Sequence, residues 1–132
     1  MSYNILVINQ NDLTQSSKIV TILATEGFCA TTGLSYLTIW SHQEEFKPDL
    51  IILGDTMLID SFEACYLLRQ SLDIPIVMLG KTRGADAWCQ AVEAGADCYL
   101  ETPFYYPELV ARVKAILHRY ELRKLYKRDS IR

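Results

Sequence analysis

The stretch "PDLIILGDTMLID", residues 48–60, contains the pattern that decides the fold. Its four aliphatic residues, 50–53, have no polar residue between them, which is typical of a strand that is buried on both faces of a parallel sheet. The aliphatic run ends at Gly54 and Asp55. Ligands in open α/β sheets bind beyond the carboxyl ends of the strands, so these two residues lie where a functional site is expected.

Short apolar runs of this kind recur along the chain. They predict five strands, at residues 4–8, 28–32, 49–53, 74–79 and 97–101. Apolar residues at helical spacing predict five helices, around residues 19–23, 37–46, 62–68, 87–92 and 109–120. A regular alternation of buried strands and helices indicates a parallel sheet with helices on both faces. We therefore predict an α/β fold with a doubly wound five-stranded sheet.

Length and composition narrow the class of protein further. The length of 132 residues predicts one domain, and a hydrophobic content of 50% is sufficient for a core of its own. The four cysteines include no Cys-x-x-Cys pair, and no apolar run approaches the length of a membrane span. The N-terminal sequence "MSYNILVI" enters the first strand without the segments of a signal peptide. These features predict a cytoplasmic protein with reduced cysteines and no contact with a membrane.

Charge is distributed unevenly along the chain. Residues 1–111 contain five basic and fourteen acidic residues, net −9, whereas residues 112–132 contain eight basic and two acidic residues, net +6. We predict one domain over residues 1–120 and a basic helical extension or linker over residues 121–132. The extension has three interpretations: an apolar seam of Leu122, Leu125 and Tyr126 toward a partner, a linker to an effector domain, or a patch that contacts nucleic acid. Because no helix-turn-helix pattern is present, sequence-specific DNA binding by this chain alone is not expected.

A family resemblance covers nearly the whole chain. It rests on six ordered blocks: "YNILVINQND", "KPDLIIL", "SFEACYLLR", "IPIVMLG", "AVEAGADCYLETPF" and "ELVARVKAILHR". With these blocks the sequence resembles the receiver domain of bacterial two-component response regulators, particularly those joined to winged-helix DNA-binding domains. The resemblance implies a flavodoxin-like fold with strand order 2-1-3-4-5. It also implies a role in phosphorelay signalling and transcription, in which one aspartate takes a phosphoryl group from a histidine kinase in a reaction that needs magnesium.

The positions that serve this reaction carry unsuitable residues here. In the family a pair of acidic residues after the first strand binds the metal, and the matching residues are Asn9 and Gln10. Hard cations such as Mg²⁺ prefer carboxylates to neutral amides. The phosphoacceptor directly follows the third strand, and the matching residue is Gly54, which has no side chain to phosphorylate. By this resemblance both the metal site and the acceptor are lost.

Three further positions complete the comparison with the family. The hydroxyl residue after the fourth strand is Gly80, and the lysine before the proline of "ETPF" is Thr102, whereas the aromatic switch position keeps an aromatic residue, Tyr99. The resemblance, with these departures from it, predicts a pseudo-receiver that is not an enzyme and uses no cofactor and no metal. Its degenerate phosphorylation pocket comprises Asn9, Gln10, Gly54, Asp55, Gly80 and Thr102.

Two alternatives to a pseudo-receiver remain at this point. Asp55 is one residue beyond the acceptor position, and a shift of one residue along a strand turns a side chain to the other face of the sheet. Asp55 would therefore replace the acceptor only if the strand end bends, with Lys81 and Thr82 as its amine and hydroxyl partners. The second alternative is a flavodoxin-like module that binds a small ligand in the vacated pocket, although the first loop "NQNDLTQSS" lacks a glycine for phosphate contact.

The expected mode of action is protein contact through the fourth predicted helix, the fifth strand and the fifth predicted helix. In DNA-binding relatives this face forms a symmetric dimer through charged pairs. Among the interface candidates, Asp97, Glu108 and Arg112 match that charged pattern, whereas Trp88 and Gln90 stand where relatives often carry basic residues. Trp88 has two interpretations, an apolar element of the interface or a residue that packs on its own domain. We predict a phosphorylation-independent signalling domain that binds a protein partner or forms a homodimer.

Overall fold

The structure is a computed structural model, and it describes residues 3–10, 12–33, 47–56 and 59–130. The strands within these ranges form one sheet, in which every neighbouring pair of strands is parallel. The strands are β1 Asn4–Ile8, β2 Cys29–Gly33, β3 Leu50–Leu53, β4 Ile76–Gly80 and β5 Cys98–Glu101. Their order is β2-β1-β3-β4-β5, so the predicted five-stranded doubly wound sheet with order 2-1-3-4-5 is confirmed.

Helices connect the strands and cover the sheet. Those in the described residues are α1 Leu13–Thr25, α2 Ser61–Ser71, α3 Ala85–Ala94 and α4 Tyr106–Ser130. The helix predicted around residues 37–46 lies outside the described residues. Helices α3 and α4 are therefore the fourth and fifth helices of the sequence prediction, and the predicted contact surface is named the α3–β5–α4 face below.

Strands β2, β3 and β5 begin one residue later than predicted, and β4 begins two residues later. The residue before β3 and the residue before β5 are aspartates that bind the backbone of an adjacent strand. The Asp49 carboxylate accepts a hydrogen bond from the Asn4 N–H at 2.7 Å, and the Asp97 carboxylate accepts one from the Ile76 N–H at 2.9 Å. At the opposite end, Gly80 was predicted to follow β4. It is instead the last residue of that strand and pairs with Glu101.

The central strands divide the core into two layers because successive side chains point to opposite faces of the sheet. Ile5 and Val7 pack with α1 and α4, whereas Leu6 and Ile8 pack with α2 and α3. All four side chains are at most 1% exposed. Each buried aliphatic side chain stabilises the fold by about 1.5–3 kcal/mol, so a one-residue slip of β1 would exchange the two layers at large cost.

Asp97 holds several elements together at the amino end of β5. Its carboxylate forms an ion pair with Arg69 at 3.0 Å and accepts hydrogen bonds from the Ile76 N–H at 2.9 Å and from the Tyr120 hydroxyl at 3.0 Å. Arg69 also donates to the carbonyl of Gly95, the left-handed residue that ends α3, at 3.0 Å. Asp97 thereby joins α2, β4 and α4 at the start of β5.

Helix α4 continues as one helix beyond the part that packs on the sheet. Its buried residues end with Leu117, and Tyr120 is half-buried against Asp97. The side chains of Leu122, Leu125 and Tyr126 are 52%, 50% and 76% exposed. None of the helices in the described ranges is long and apolar enough to span a bilayer. The division at residue 120 stays a prediction, but the apolar seam proposed for the extension is exposed.

Candidate functional site

A cavity of about 470 Å³ lies at the carboxyl ends of the strands. It is lined by Asn9, Asp12, Gln15, Gly54, Asp55, Leu79, Gly80, Lys81, Arg83, Thr102 and Pro103. The structure therefore brings five of the six predicted pocket residues together. The sixth, Gln10, does not line the cavity, and its N–H donates to the carbonyl of Asp55 at 2.9 Å.

The side chain of Asn9 fills the space next to Gly54. Asn9 is 5% exposed, and a Cβ placed on Gly54 would be 2.7 Å from Asn9 Cγ and 2.8 Å from its Oδ1. The φ angle of Gly54 lies outside the left-handed region, so space, and not backbone conformation, excludes a side chain here. The acceptor position of the family is thus physically occupied by the amide of a neighbouring strand end.

Hydrogen bonds fix the Asn9 amide in this place. Its Nδ2 donates to Gln15 Oε1 at 2.7 Å, and its Oδ1 accepts from the Asp55 N–H at 3.2 Å. Gln15 is positioned in turn because its N–H donates to the carboxylate of Asp12, the N-cap of α1, at 2.9 Å. Both ends of the amide are engaged, which makes Asn9 part of the framework of the cavity.

Asp12 and Gln15 were missed as site residues, although the sequence carries a signal for them. An N-cap Asp followed three residues later by Gln is a capping-box pattern, and it marks the start of α1 at the first strand end. In the usual box the Gln side chain returns to the cap. Here it binds Asn9 instead, and that contact cannot be read from spacing alone.

Tyr99 occupies the space next to Gly80 in the same manner. A Cβ placed on Gly80 would be 2.4 Å from the Tyr99 hydroxyl oxygen and 3.0 Å from Cε1 and Cζ. Tyr99 is 2% exposed, and its hydroxyl donates to the carbonyl of Thr82 at 2.8 Å. Burial raises the pKa of this hydroxyl above its usual value, with smaller contributions from the carboxylates of Glu101 and Asp55. Its proton is therefore retained at neutral pH.

Two aromatic rings pack against Tyr99 and connect it to the surface. The Phe62 ring is stacked on it at a centroid distance of 6.0 Å, and the Trp88 ring meets it edge-on at 6.5 Å. Trp88 is nevertheless 37% exposed. Each of its two predicted roles thus has support, since it packs on its own domain and also presents apolar surface.

Asp55 is among the residues that line the cavity. Backbone pairing continues past the last residue of β3, because the Gly54 N–H donates to the Ile8 carbonyl at 2.6 Å and the Gln10 N–H donates to the Asp55 carbonyl. Of the two suggested partners of Asp55, Lys81 lines the cavity, whereas Thr82 does not and its carbonyl accepts from Tyr99. The cavity is thus lined by one acidic and one basic residue of this set, Asp55 and Lys81.

The residues at the metal positions of the family do not fit Mg²⁺. Asn9 and Gln10 carry no negative charge, and the Asn9 amide is already bound at both ends. Hard divalent cations prefer carboxylate oxygens. Within the ranges that the structure describes, no group of three or more His, Cys, Asp or Glu side chains is arranged to hold a metal ion.

The predicted interface residues differ in their exposure and in the contacts that they already make within the domain. Glu108 and Arg112 form an ion pair at 3.9 Å along α4, with both side chains about half exposed, and Gln90 is exposed on α3. The carboxylate of Asp97 is engaged within the domain by Arg69, Tyr120 and the backbone of β4. That Asp97 takes part in an interface stays a prediction. Its carboxylate would then have to bind a residue of the partner in addition to these groups of its own domain.

The chain is similar in sequence to two mycobacterial regulatory proteins. The chain is 38% identical over 125 residues to the DNA-binding response regulator MtrA of Mycobacterium tuberculosis (strain ATCC 25618 / H37Rv), covering 90% of this chain and 52% of the relative. It is 36% identical over 99 residues to the transcriptional regulatory protein PrrA of Mycobacterium leprae, covering 74% of this chain and 42% of the relative. The chain belongs to the receiver domains of response regulators. No protein-family model matches its sequence.

Solved receiver domains share the fold of this receiver domain. The receiver domain of the Francisella response regulator 1452 superposes with a TM-score of 0.82 at 21% identity, covering 90% of this chain and 99% of that one. A putative response regulator from Chloroflexus aurantiacus gives a TM-score of 0.80 at 29% identity, covering 89% and 99%. The chain spans about half the length of the curated relatives it matches.

Proposed function

We propose that this receiver domain signals by protein contact and does not depend on phosphorylation. The observation that carries this proposal is the position of the Asn9 amide, which fills the space where a side chain of residue 54 would begin. Phosphoryl transfer needs a carboxylate nucleophile, and it needs negatively charged ligands for the metal that neutralises the phosphate. Gly54 supplies no nucleophile, and the metal positions are neutral. Next to Gly54 the pocket wall is formed by the Asn9 amide, which Gln15 and the Asp55 N–H hold in place.

The contact surface that we propose is the α3–β5–α4 face, binding either a protein partner or a second copy of the chain. This face combines the exposed edge of Trp88 with the exposed charges of Glu108 and Arg112. Tryptophan and arginine are enriched in protein interfaces and in their hot spots. In a response regulator such contacts would influence transcription through a DNA-binding partner or domain, as the names of the curated relatives suggest.

A second candidate function is phosphorylation of Asp55. It is favoured by one observation, that Asp55 is among the residues that line the same cavity as Lys81 and Thr102. Against it, Asp12 serves as the N-cap of α1, and the metal positions carry amides. A phosphoryl group on Asp55 would therefore have the amine of Lys81 and the guanidinium of Arg83 for charge neutralisation.

Intact-protein mass spectrometry after incubation with Mg²⁺ and acetyl phosphate distinguishes the two candidates. We expect no mass increase in the wild type, whereas a conventional receiver domain treated in parallel gains one phosphoryl group. Asp55→Asn is the matched control variant. A gain of one phosphoryl group by the wild type that is lost in Asp55→Asn would overturn the proposal. Native spectra of the untreated sample test the remaining alternative, a small ligand retained in the cavity.

A further inference from the structure

Helix α4 carries a line of basic residues along the part that leaves the sheet. Arg119, Arg123 and Lys127 are spaced by four residues, so they lie on one face of the helix about one turn apart, and all three are exposed. These three residues are named the basic stripe below. They belong to residues 112–132, which have a net charge of +6, whereas residues 1–111 have a net charge of −9. Positive charge is thus concentrated on one line of the surface.

The basic stripe is not explained by ion pairs that stabilise the helix. Like charges four positions apart lower the stability of a helix. No acidic residue stands three or four positions from Arg119 or Arg123 in the sequence. Arg112, by contrast, has Glu108 four residues earlier and pairs with it at 3.9 Å. The charges of the stripe therefore call for a ligand outside the helix.

A cleft of about 190 Å³ is lined by both arginines of the stripe together with Asp97, Ile116 and Tyr120. Asp97 is the acidic residue of this cleft, but its carboxylate already binds Arg69, the Tyr120 hydroxyl and the backbone of β4. In the part of the chain that the structure describes, neither Arg119 nor Arg123 forms an ion pair. The cleft thus offers two guanidinium groups to an anion.

Two tyrosines accompany the arginines. Arg123 lies over the Tyr120 ring, with its Cζ 5.0 Å from the ring centroid, and this contact holds the planar guanidinium beside the cleft. Tyr126 is three residues after Arg123, so the two are neighbours on the helix surface, and Tyr126 is 76% exposed. Glu121 is two positions from each arginine, does not share their face, and accepts a hydrogen bond from the Tyr3 hydroxyl.

We propose that the basic stripe and Tyr126 bind single-stranded nucleic acid without sequence specificity. Guanidinium groups bind phosphate oxygens through paired hydrogen bonds, and exposed aromatic rings stack on unpaired bases. A charge that recurs once per helical turn matches a polymer with regularly spaced phosphates better than the irregular carboxylates of a protein. A duplex keeps its bases stacked on each other and offers no base face to Tyr126. Because residues 1–111 are acidic, the contact is confined to α4.

Fluorescence anisotropy of a labelled oligothymidylate of about 12 nucleotides measures this binding with the full chain. We expect a dissociation constant of about 1–10 µM at about 50 mM salt. Three phosphate contacts predict a slope of about −2 for the logarithm of affinity against the logarithm of salt concentration. Arg119→Gln/Arg123→Gln leaves one contact, so the slope should become about −0.7 and the affinity should fall about 50-fold at that salt concentration.

Tyr126→Ser separates stacking from charge. We expect it to lower the affinity at least about fivefold and to leave the salt slope unchanged, because it removes a stacking contact and no phosphate contact. A duplex of the same length and polyglutamate serve as competing ligand classes. Both should bind more weakly than the single strand, since neither presents unpaired bases.

Lys18→Gln/Lys47→Gln is the matched control for the double arginine variant. It removes two exposed positive charges from other parts of the domain and lowers the net charge by the same amount. We expect it to retain the affinity and the salt slope of the wild type. Circular dichroism of each variant establishes that it is folded.

Three results would overturn the proposal. The first is a wild type that does not bind oligothymidylate in the micromolar range, and the second is a double arginine variant that binds as tightly as the control variant. The third is a duplex or polyglutamate that binds as tightly as the single strand, which in the case of polyglutamate would assign the stripe to an acidic protein. The proposal does not rest on the proposed function, because phosphorylation is decided by the mass measurement and the stripe includes no residue of the cavity.

Discussion

The amide of Asn9 and the α-carbon of Gly54 share a space that holds only one side chain. A Cβ on Gly54 would be 2.7 Å from Asn9 Cγ, and the amide is fixed by hydrogen bonds to Gln15 and to the backbone of Asp55. The glycine at position 54 thus leaves free the space that the asparagine side chain at position 9 fills. The Asn9 amide therefore takes the space that a side chain at position 54 would need.

The first prediction concerns the pair of Asn9 and Gly54. We expect Gly54→Ala to lower the free energy of unfolding by about 1–3 kcal/mol, the usual cost of forcing a methyl group into a packed site. Asn9→Ala removes the two closest atoms, so the cost of Gly54→Ala should be smaller in that background. Urea unfolding of the four proteins in the double-mutant cycle gives the coupling, which we expect to be about 0.5–3 kcal/mol. Additive effects of the two substitutions would contradict the packing relationship.

The sequence predicted the framework of this site but not its contacts. The five strands and the positions of Asn9, Gly54, Gly80 and Thr102 at their ends follow from local apolar patterns, because strand burial is periodic in sequence. The contact of Gly80 with Tyr99 joins positions on different strands and depends on how one ring is oriented. Such contacts leave no periodic signal, so that only the three-dimensional structure reveals them.

Asp97 shows another limit of prediction from sequence. Asp97 was assigned to an interface by its position in the sequence, yet its carboxylate is bound by Arg69 and Tyr120 within the domain. The contacts of Asp97 within the domain join residues that are far apart in the sequence, so they could not be predicted from the order of the chain.

A second prediction concerns the anchoring of α4 by Asp97. We expect Tyr120→Phe to lower the free energy of unfolding by about 0.5–1.5 kcal/mol, because it removes one donor to a partly buried carboxylate. Glu108→Gln is the control on the same helix, since it breaks a half-exposed ion pair and should cost less than about 0.5 kcal/mol. Urea unfolding at neutral pH measures both. Equal effects of the two substitutions would show that the Tyr120 hydroxyl contributes nothing beyond a surface contact.

A third prediction concerns the pH dependence of stability. Burial raises the pKa of the Cys65 thiol from 9.0 to about 11, with Arg69 opposing the shift. The folded state therefore binds this proton more tightly than the unfolded state. The resulting stabilisation is complete below pH 9 and is lost as the pH rises toward 11. Urea midpoints over this range should fall more steeply for the wild type than for Cys65→Ala, and parallel curves would contradict the shifted pKa.

The last prediction concerns the α3–β5–α4 face as a contact surface. If a second copy of the chain is the partner, sedimentation velocity should show a dimer whose dissociation constant increases by about 30-fold or more in Trp88→Ala, because truncating a central aromatic residue typically costs at least about 2 kcal/mol. Tyr126→Ser is the matched control, since it removes an aromatic residue that is 76% exposed on the extension of α4. Weakening by Tyr126→Ser alone would move the interface to the extension. A wild type that stays monomeric at all concentrations would exclude the homodimer and leave a different protein as the partner of this face.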